Sequence, residues 1–306
     1  REAGFKLWRD PTESARRRGL MHPVVQRDIL SPNVTKLTIE ASRIAQVRQP
    51  GQFVIVRIGE GAERVPLTIA DADAEAGTIT LTIQAVGKTS CDLCMLQVGD
   101  AIQDVAGPLG EATELIGSGH AVCVGGGVGT AVVHPMAQGL AAKGVAVTSI
   151  IGGRAREWVI FEDELRRYGD VRVCTDDGSY GRHGFVTDEL RELLEVGGVD
   201  HVYAVGPVPM MGAVANVTRD FGVATTVSLN TIMVDGTGMC GGCRVNVGGK
   251  TVYACVDGPE FDAHDVDFKQ LADRLAMYRD TEKAAFDGSR CLIDGLAEAA
   301  GRDTAR

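Results

Sequence analysis

The stretch Ala121-Val122-Cys123-Val124-Gly125-Gly126-Gly127-Val128-Gly129 decides the fold. Four small or apolar residues make a short buried strand, a glycine-rich turn follows at once, and the next residues continue as a helical stretch to Lys143. A strand, glycine turn and helix in this order let a pyrophosphate approach the backbone at a helix N-terminus. A tight turn without a ligand is the plainer alternative. Downstream, strand-like runs at 145–151, 171–175, 201–205 and 223–228 alternate with helical stretches at 157–168, 187–194 and 210–220. That alternation predicts a parallel α/β sheet.

Upstream of the glycine turn the period changes. Short β-rich runs at 24–25, 34–39, 53–58, 65–70, 78–85 and 101–105 are separated by turn signals such as Pro50-Gly51 and Gly99-Asp100. Six such runs predict an antiparallel barrel. Beyond residue 230 glycine and cysteine dominate as far as Cys255, and helical stretches follow from 268 to 278 and, more weakly, to about 300. The expected organisation is therefore β plus α/β: an extension over 1–21, a six-stranded barrel over 22–117, a Rossmann-like nucleotide domain over 118–228, a small module over 229–262 and a helical tail over 263–306.

The small module carries the sharpest signal. Plant-type [2Fe–2S] loops space their cysteines C-x₄-C-x₂-C with a distant fourth. Here Cys240, Cys243 and Cys255 fall on the last three places, and Asp235, five residues before Cys240, falls on the first. Intervening glycines suit a backbone wrapped closely around cluster sulfides. A structural zinc site, with Asp235 or His264 as fourth ligand, is the competing reading. Of the other cysteines, Cys91 and Cys94 have redox-motif spacing without a thioredoxin-like context. Cys123 and Cys174 read as core, and Cys291 has no assigned role.

The 306 residues are 44% hydrophobic and carry a formal net charge of −10. Such acidity argues against nucleic acid as the partner. No apolar run is long enough to span a bilayer, and no signal-peptide pattern is seen, so a cytoplasmic protein is expected. Further ligand signals sit at turns. Arg64-Val65-Pro66-Leu67-Thr68 offers an arginine suited to a pyrophosphate, and Gly87-Lys88-Thr89-Ser90 offers donors at a helix start; alone, each is equally an ordinary strand edge or N-cap. After the second α/β strand, Arg154 and Arg156 suit a 2′-phosphate and hence NADP(H), or a solvated surface. Asp177 follows the third strand, and Gly206-Pro207-Val208-Pro209-Met210 follows the fourth with room for a planar ring.

Taken in order, these motifs resemble one branch of the ferredoxin-reductase superfamily, that of the dihydroorotate dehydrogenase electron-transfer subunit and of the small subunit of NADH-dependent reduced ferredoxin:NADP oxidoreductase, also called sulfide dehydrogenase. The resemblance spans about residues 22–280. It implies FAD held by Arg64, Pro66, Leu67 and Thr68, with Thr68 near the isoalloxazine, and by Gly87, Lys88, Thr89 and Ser90 at the pyrophosphate. It implies nicotinamide entering from Gly125, Gly127, Val128, Gly129, Arg154, Asp177, Gly206, Pro207 and Met210, and NAD(H) as the working nucleotide. Cluster ligands would be Asp235, Cys240, Cys243 and Cys255; aspartate at the first place favours the second subfamily. No catalytic acid or base is expected, since the cofactors carry the chemistry. Expected partners are a larger flavin and [4Fe–4S] subunit and ferredoxin, directly or through the complex, in an electron-bifurcating assembly. Alternatives are service to dihydroorotate dehydrogenase or another dehydrogenase, a stand-alone NAD(P)H:ferredoxin reductase, and a zinc-stabilised module without activity. Val132 departs from the superfamily, which often has proline there.

Overall fold

The computed structural model describes residues 21–287, and the expected N-terminal extension and the end of the tail, with Cys291, lie outside them. Strands β1 (His22–Ser31), β2 (Val34–Glu40), β3 (Phe53–Arg57), β4 (Val65–Asp73), β5 (Thr78–Gln84), β6 (Ala101–Ile102) and β7 (Asp104–Leu109) form one antiparallel sheet in the order β6-β1-β2-β5-β4-β3-β7. The sixth expected run is split at Gln103. Its first half pairs with β1 and its second half with β3, so that one passage of chain touches both edges and nearly closes the barrel. This is why six runs become seven strands. Alternation puts Leu37, Ile39, Val54, Val56, Ile69, Ile79, Leu81 and Ile83 inside, and burial of such side chains is the main stabilising term. Helices α1 (Ser42–Val47) and α2 (Lys88–Cys94) cap the barrel.

The second sheet comprises β8 (His120–Gly126), β9 (Ala146–Gly153), β10 (Asp170–Thr175), β11 (Arg182–His183), β12 (His201–Val205) and β13 (Ala224–Ser228), all parallel, in the order β11-β10-β9-β8-β12-β13. Helices α3 (Thr130–Ala142), α4 (Glu162–Leu165), α5 (Val186–Val196) and α6 (Val208–Phe221) cross between them. Of the expected helix over 157–168 only α4 forms, with a short 3₁₀ turn at Arg156–Trp158 before it. Phe161 takes a left-handed φ of 61° there. Its ring lies 5.2 Å from that of His134, in the core under α3.

After β13 the cysteine loop leads to the hairpin β14 (Arg244–Val247) and β15 (Lys250–Tyr253), then to β16 (Glu260–Asp262), which returns to pair antiparallel with β13. Helices α7 (Phe268–Leu275) and α8 (Arg279–Asp287) follow. Barrel and α/β sheet meet directly. The His134 ring nitrogen Nδ1 lies 3.0 Å from Ala70 O, and the buried Tyr203 hydroxyl donates to Glu114 O and accepts from Ile116 N, pinning the connecting segment to the sheet.

Candidate functional site

The order of the α/β strands reverses at β8, whose neighbours β9 and β12 run to opposite sides. The carboxyl ends there form the crevice in which open parallel sheets bind ligands. Each glycine of the turn does a separate job. A Cβ on Gly129 would lie 2.3 Å from Val205 O, and one on Gly125 2.8 Å from Thr130 Cα, so helix α3 approaches β12 and β8 only because both are bare. Gly127 has φ +55° with nothing within 4 Å of a Cβ, leaving backbone open to a ligand. Val128 is half-buried beside it. Gly126 and Gly206 enclose the Met210 side chain, whose sulfur would lie 2.3 and 2.8 Å from Cβ atoms at those positions. Pro207 caps α6. The sheet thus gathers Gly125–Gly129 and Gly206–Met210 at one edge.

At the next two strand ends, Asp177 N donates to Arg154 O at 3.1 Å. The Arg154 guanidinium stands 6.0 Å over Trp158, and that of Arg156 4.9 Å over Tyr180. The Asp177 carboxylate is exposed, and the Ser179 hydrogen bonds hold its pKa below the usual range. Both arginines therefore rest on aromatic faces, and the exposed Asp177 carboxylate accepts from Ser179 N at 2.9 Å.

In the barrel, Pro66, Leu67 and Thr68 lie half-buried on β4, with Arg64 exposed just before it. Thr68 pairs across the sheet with Phe53. Helix α2 begins at Lys88 after Gly87. Ser90 Oγ accepts from Gly87 N and Val86 N and donates to Gly87 O, which fixes the turn. Thr89 is buried and donates to Glu63. An exposed arginine, the half-buried Pro66 and Thr68 on one face of β4 and a helix start, where first-turn N–H groups lack intrahelical partners, are a donor set that fits a dinucleotide.

The cysteine loop packs on the same barrel edge. Met233, Cys243, Ala254 and Cys255 form a buried cluster with Phe53 and Ile55 of β3, flanked by Leu109 and Phe261. Cys243 Sγ and Cys255 Sγ are 3.1 Å apart. Burial, with the neighbouring thiol, pushes Cys255 up to about 12. Cys240 is exposed, and its backbone N–H donates to Asp235 Oδ2 at 2.9 Å, while Thr237 N donates to Oδ1 at 2.9 Å. The Thr237 bond is the main cause of a lowered Asp235 pKa. Among the described residues no three such side chains already enclose a single ion. Cys243 and Cys255 touch through their sulfurs, while Asp235 holds Cys240 by its backbone N–H. Asp235 and the three thiols supply four donors, two per iron, which is the number a two-iron cluster needs.

Elsewhere burial raises Cys94 to about 11, Cys123 to about 12 and Cys174 to about 11, which makes them inert core thiols. Sequence reading missed Phe53, Thr113 and Glu260. Phe53 carried a strand signal without a role, and the other two meet only through folding.

Comparison with known proteins agrees with this geometry. Residues 230–267 match the family model described as the iron–sulfur cluster binding domain of dihydroorotate dehydrogenase B. A Thermotoga maritima protein named as a homolog of the dihydroorotate dehydrogenase B (NAD(+)) electron transfer subunit is 42% identical over 267 residues, spanning 87% of this chain and 95% of its own. The electron transfer subunit of Geobacillus thermodenitrificans is 36% identical, over 79% and 96%. Among solved structures, one of an NADH-dependent reduced ferredoxin-NADP oxidoreductase, described for flavin-based electron bifurcation, superposes with a TM-score of 0.83 at 41% identity, covering 87% of this chain and 96% of that one. The ferredoxin reductase of carbazole 1,9a-dioxygenase, at TM-score 0.56 and 18% identity, shares the fold.

Proposed function

Because the chain belongs to the family of dihydroorotate dehydrogenase B electron-transfer subunits, we propose that it exchanges hydride between NAD(H) and FAD and passes single electrons through a [2Fe–2S] cluster to a partner subunit. The observation that carries this is the seating of the cysteine module on β3: Phe53 is part of the buried cluster of Cys243 and Cys255, and its cross-strand partner Thr68 lies beside it on the same face of the sheet. This supports flavin and cluster sites that adjoin on one face of the barrel. When bound, FAD accepts a hydride and releases electrons singly, and the cluster carries them one at a time.

The chain's own residues bind and orient. Arg64 and the first turn of α2 hold the FAD pyrophosphate, and Pro66, Leu67 and Thr68 line the ring. Gly127 and its neighbours admit the nucleotide pyrophosphate, Asp177 takes the ribose, and Met210 lies where nicotinamide approaches. Asp235, Cys240, Cys243 and Cys255 ligate the cluster, and the apolar layer around Phe53 excludes water from the path.

The assembly we favour is of the electron-bifurcating transhydrogenase type, with a larger flavin and [4Fe–4S] subunit and ferredoxin as partners; Asp235 in the first cluster place supports it. The family model and the named relatives support a second reading, service to a dihydroorotate dehydrogenase. Among the described residues no helix is long and apolar enough to cross a membrane. Anaerobic purification of the native complex, with identification of its large subunit, tests the choice. Ferredoxin-linked NADP⁺ reduction supports the first reading, and NAD⁺-linked dihydroorotate oxidation the second.

A further inference from the structure

Glu260 is an acid in an unusual place. It opens β16 opposite Ser228 of β13, where barrel, α/β sheet and cysteine module meet. Its Oε1 accepts from Thr113 Oγ1 at 2.8 Å, while Oε2 is buried with no hydrogen-bond partner among the described residues. The surroundings are built around this carboxyl. Gly51 is bare: a Cβ there would lie 2.2 Å from Thr113 Oγ1 and 2.6 Å from Glu260 Oε1. Three backbone bonds close the junction, Thr113 N to Pro50 O, Glu111 N to Gly258 O and Leu229 N to Pro259 O. The preceding Pro259 and the Phe53 ring both press on Gly110, with closest atoms 3.0 and 2.8 Å from the place of its Cβ. The following Phe261 flanks the buried cluster of Cys243 and Cys255.

Among the described residues no charged side chain is paired with this carboxyl. From β13 it meets Ser228, and from the connecting segment Thr113, with Glu111 and Glu114 exposed to solvent. From the barrel it meets the turn Pro50–Gly51. The titratable group facing it is the Tyr203 phenol of β12, which burial pushes up to about 12 and which stays neutral. Burial, only partly offset by the Thr113 hydroxyl, moves Glu260 itself up to about 7. An unpaired carboxylate in an apolar junction is costly, and a nearby negative charge makes it more so.

We propose that Glu260 binds the proton that accompanies the electron entering the cysteine module. When the bound cluster gains one electron from reduced flavin, one O–H bond forms at Glu260 Oε2 with a proton taken from solvent, and the junction gains no net charge. On reoxidation the electron leaves to the partner and the proton returns to solvent. Glu260 is thus a positioning residue for electron transfer, acting through charge, and the inference rests on the cluster reading above.

The test is an EPR-monitored redox titration of the cluster in the anaerobically purified holoprotein, across the neutral range. The midpoint should fall as pH rises in the unmodified protein and be independent of pH in Glu260→Gln. Thr113→Val retains the carboxyl but removes the donor that favours its charged form, so the pH-dependent window should move to higher pH. Equal pH dependence in the unmodified protein and Glu260→Gln, at equal iron content, would overturn the proposal. Should Glu260→Gln fail to fold, reduced-minus-oxidised infrared difference spectra of the unmodified protein decide. A gain of carboxylic acid C=O signal on reduction supports the proposal, and no gain overturns it. A holoprotein without iron would overturn the cluster reading itself, a distinct result from a cluster of pH-independent potential.

Discussion

Asp235 uses both carboxylate oxygens to hold backbone N–H groups, Oδ1 from Thr237 and Oδ2 from Cys240. Each oxygen has a second lone pair, so capping the loop and ligating iron are compatible. Asp235→Cys should keep a cluster with altered EPR spectrum and potential, because thiolate is softer and more covalent than carboxylate. Asp235→Ala should leave the cluster absent or labile, and a stable cluster of unchanged spectrum there would remove Asp235 from the ligand set. If Arg64 makes the proposed pyrophosphate contact, Arg64→Ala removes a charge-assisted bond, typically about 1.5–3 kcal/mol, so FAD should bind roughly ten- to a hundredfold more weakly; flavin occupancy by absorbance checks it. Arg154 and Arg156 stand exposed over Trp158 and Tyr180, and Asp177 is the residue proposed to meet the nucleotide. Replacing both arginines with Ala should hardly change the KM for NADH, and stopped-flow flavin reduction with NADH and NADPH measures it.

At the scale of elements, the glycine turn is a packing device as much as a ligand loop. Gly129→Ala would drive a methyl into Val205 O, forcing α3 off β12 at about 1–3 kcal/mol and weakening NADH binding together with stability. Chemical denaturation and NADH titration of the same variant should show both losses. The turn was legible because strand, glycines and helix lie in one stretch. The hairpin was missed: Gly248-Gly249 joins β14 to β15 with φ of 58° and 76°, a two-residue turn signal in a stretch that reads only as rich in glycine and cysteine. The helix expected over 157–168 was not legible, because Phe161 is drawn into the core beside His134. Nor was the split of the last barrel run, since only closure makes one passage serve two edges.

For the whole molecule, three modules meet at a junction assembled from residues 50–52, 110–113 and 258–260, where the sequence shows a turn at Pro50-Gly51 but nothing of the meeting. Glu260 makes that junction sensitive to pH. Its folded value, about 7 against an ordinary 4.5, means that the folded state holds the proton more tightly. The contribution to stability is therefore full below about 4.5 and is lost as pH rises to about 7, by up to about 3 kcal/mol. Glu260→Gln should flatten that part of the stability–pH curve in chemical denaturation. The central claim, that one chain carries flavin and cluster at adjoining sites, is met most directly by cofactor analysis with EPR of the anaerobically purified protein. One FAD and two irons per chain, with NADH bleaching the flavin and producing the EPR signal of a reduced [2Fe–2S] cluster, is the expected result. A colourless protein holding zinc and no flavin would contradict it.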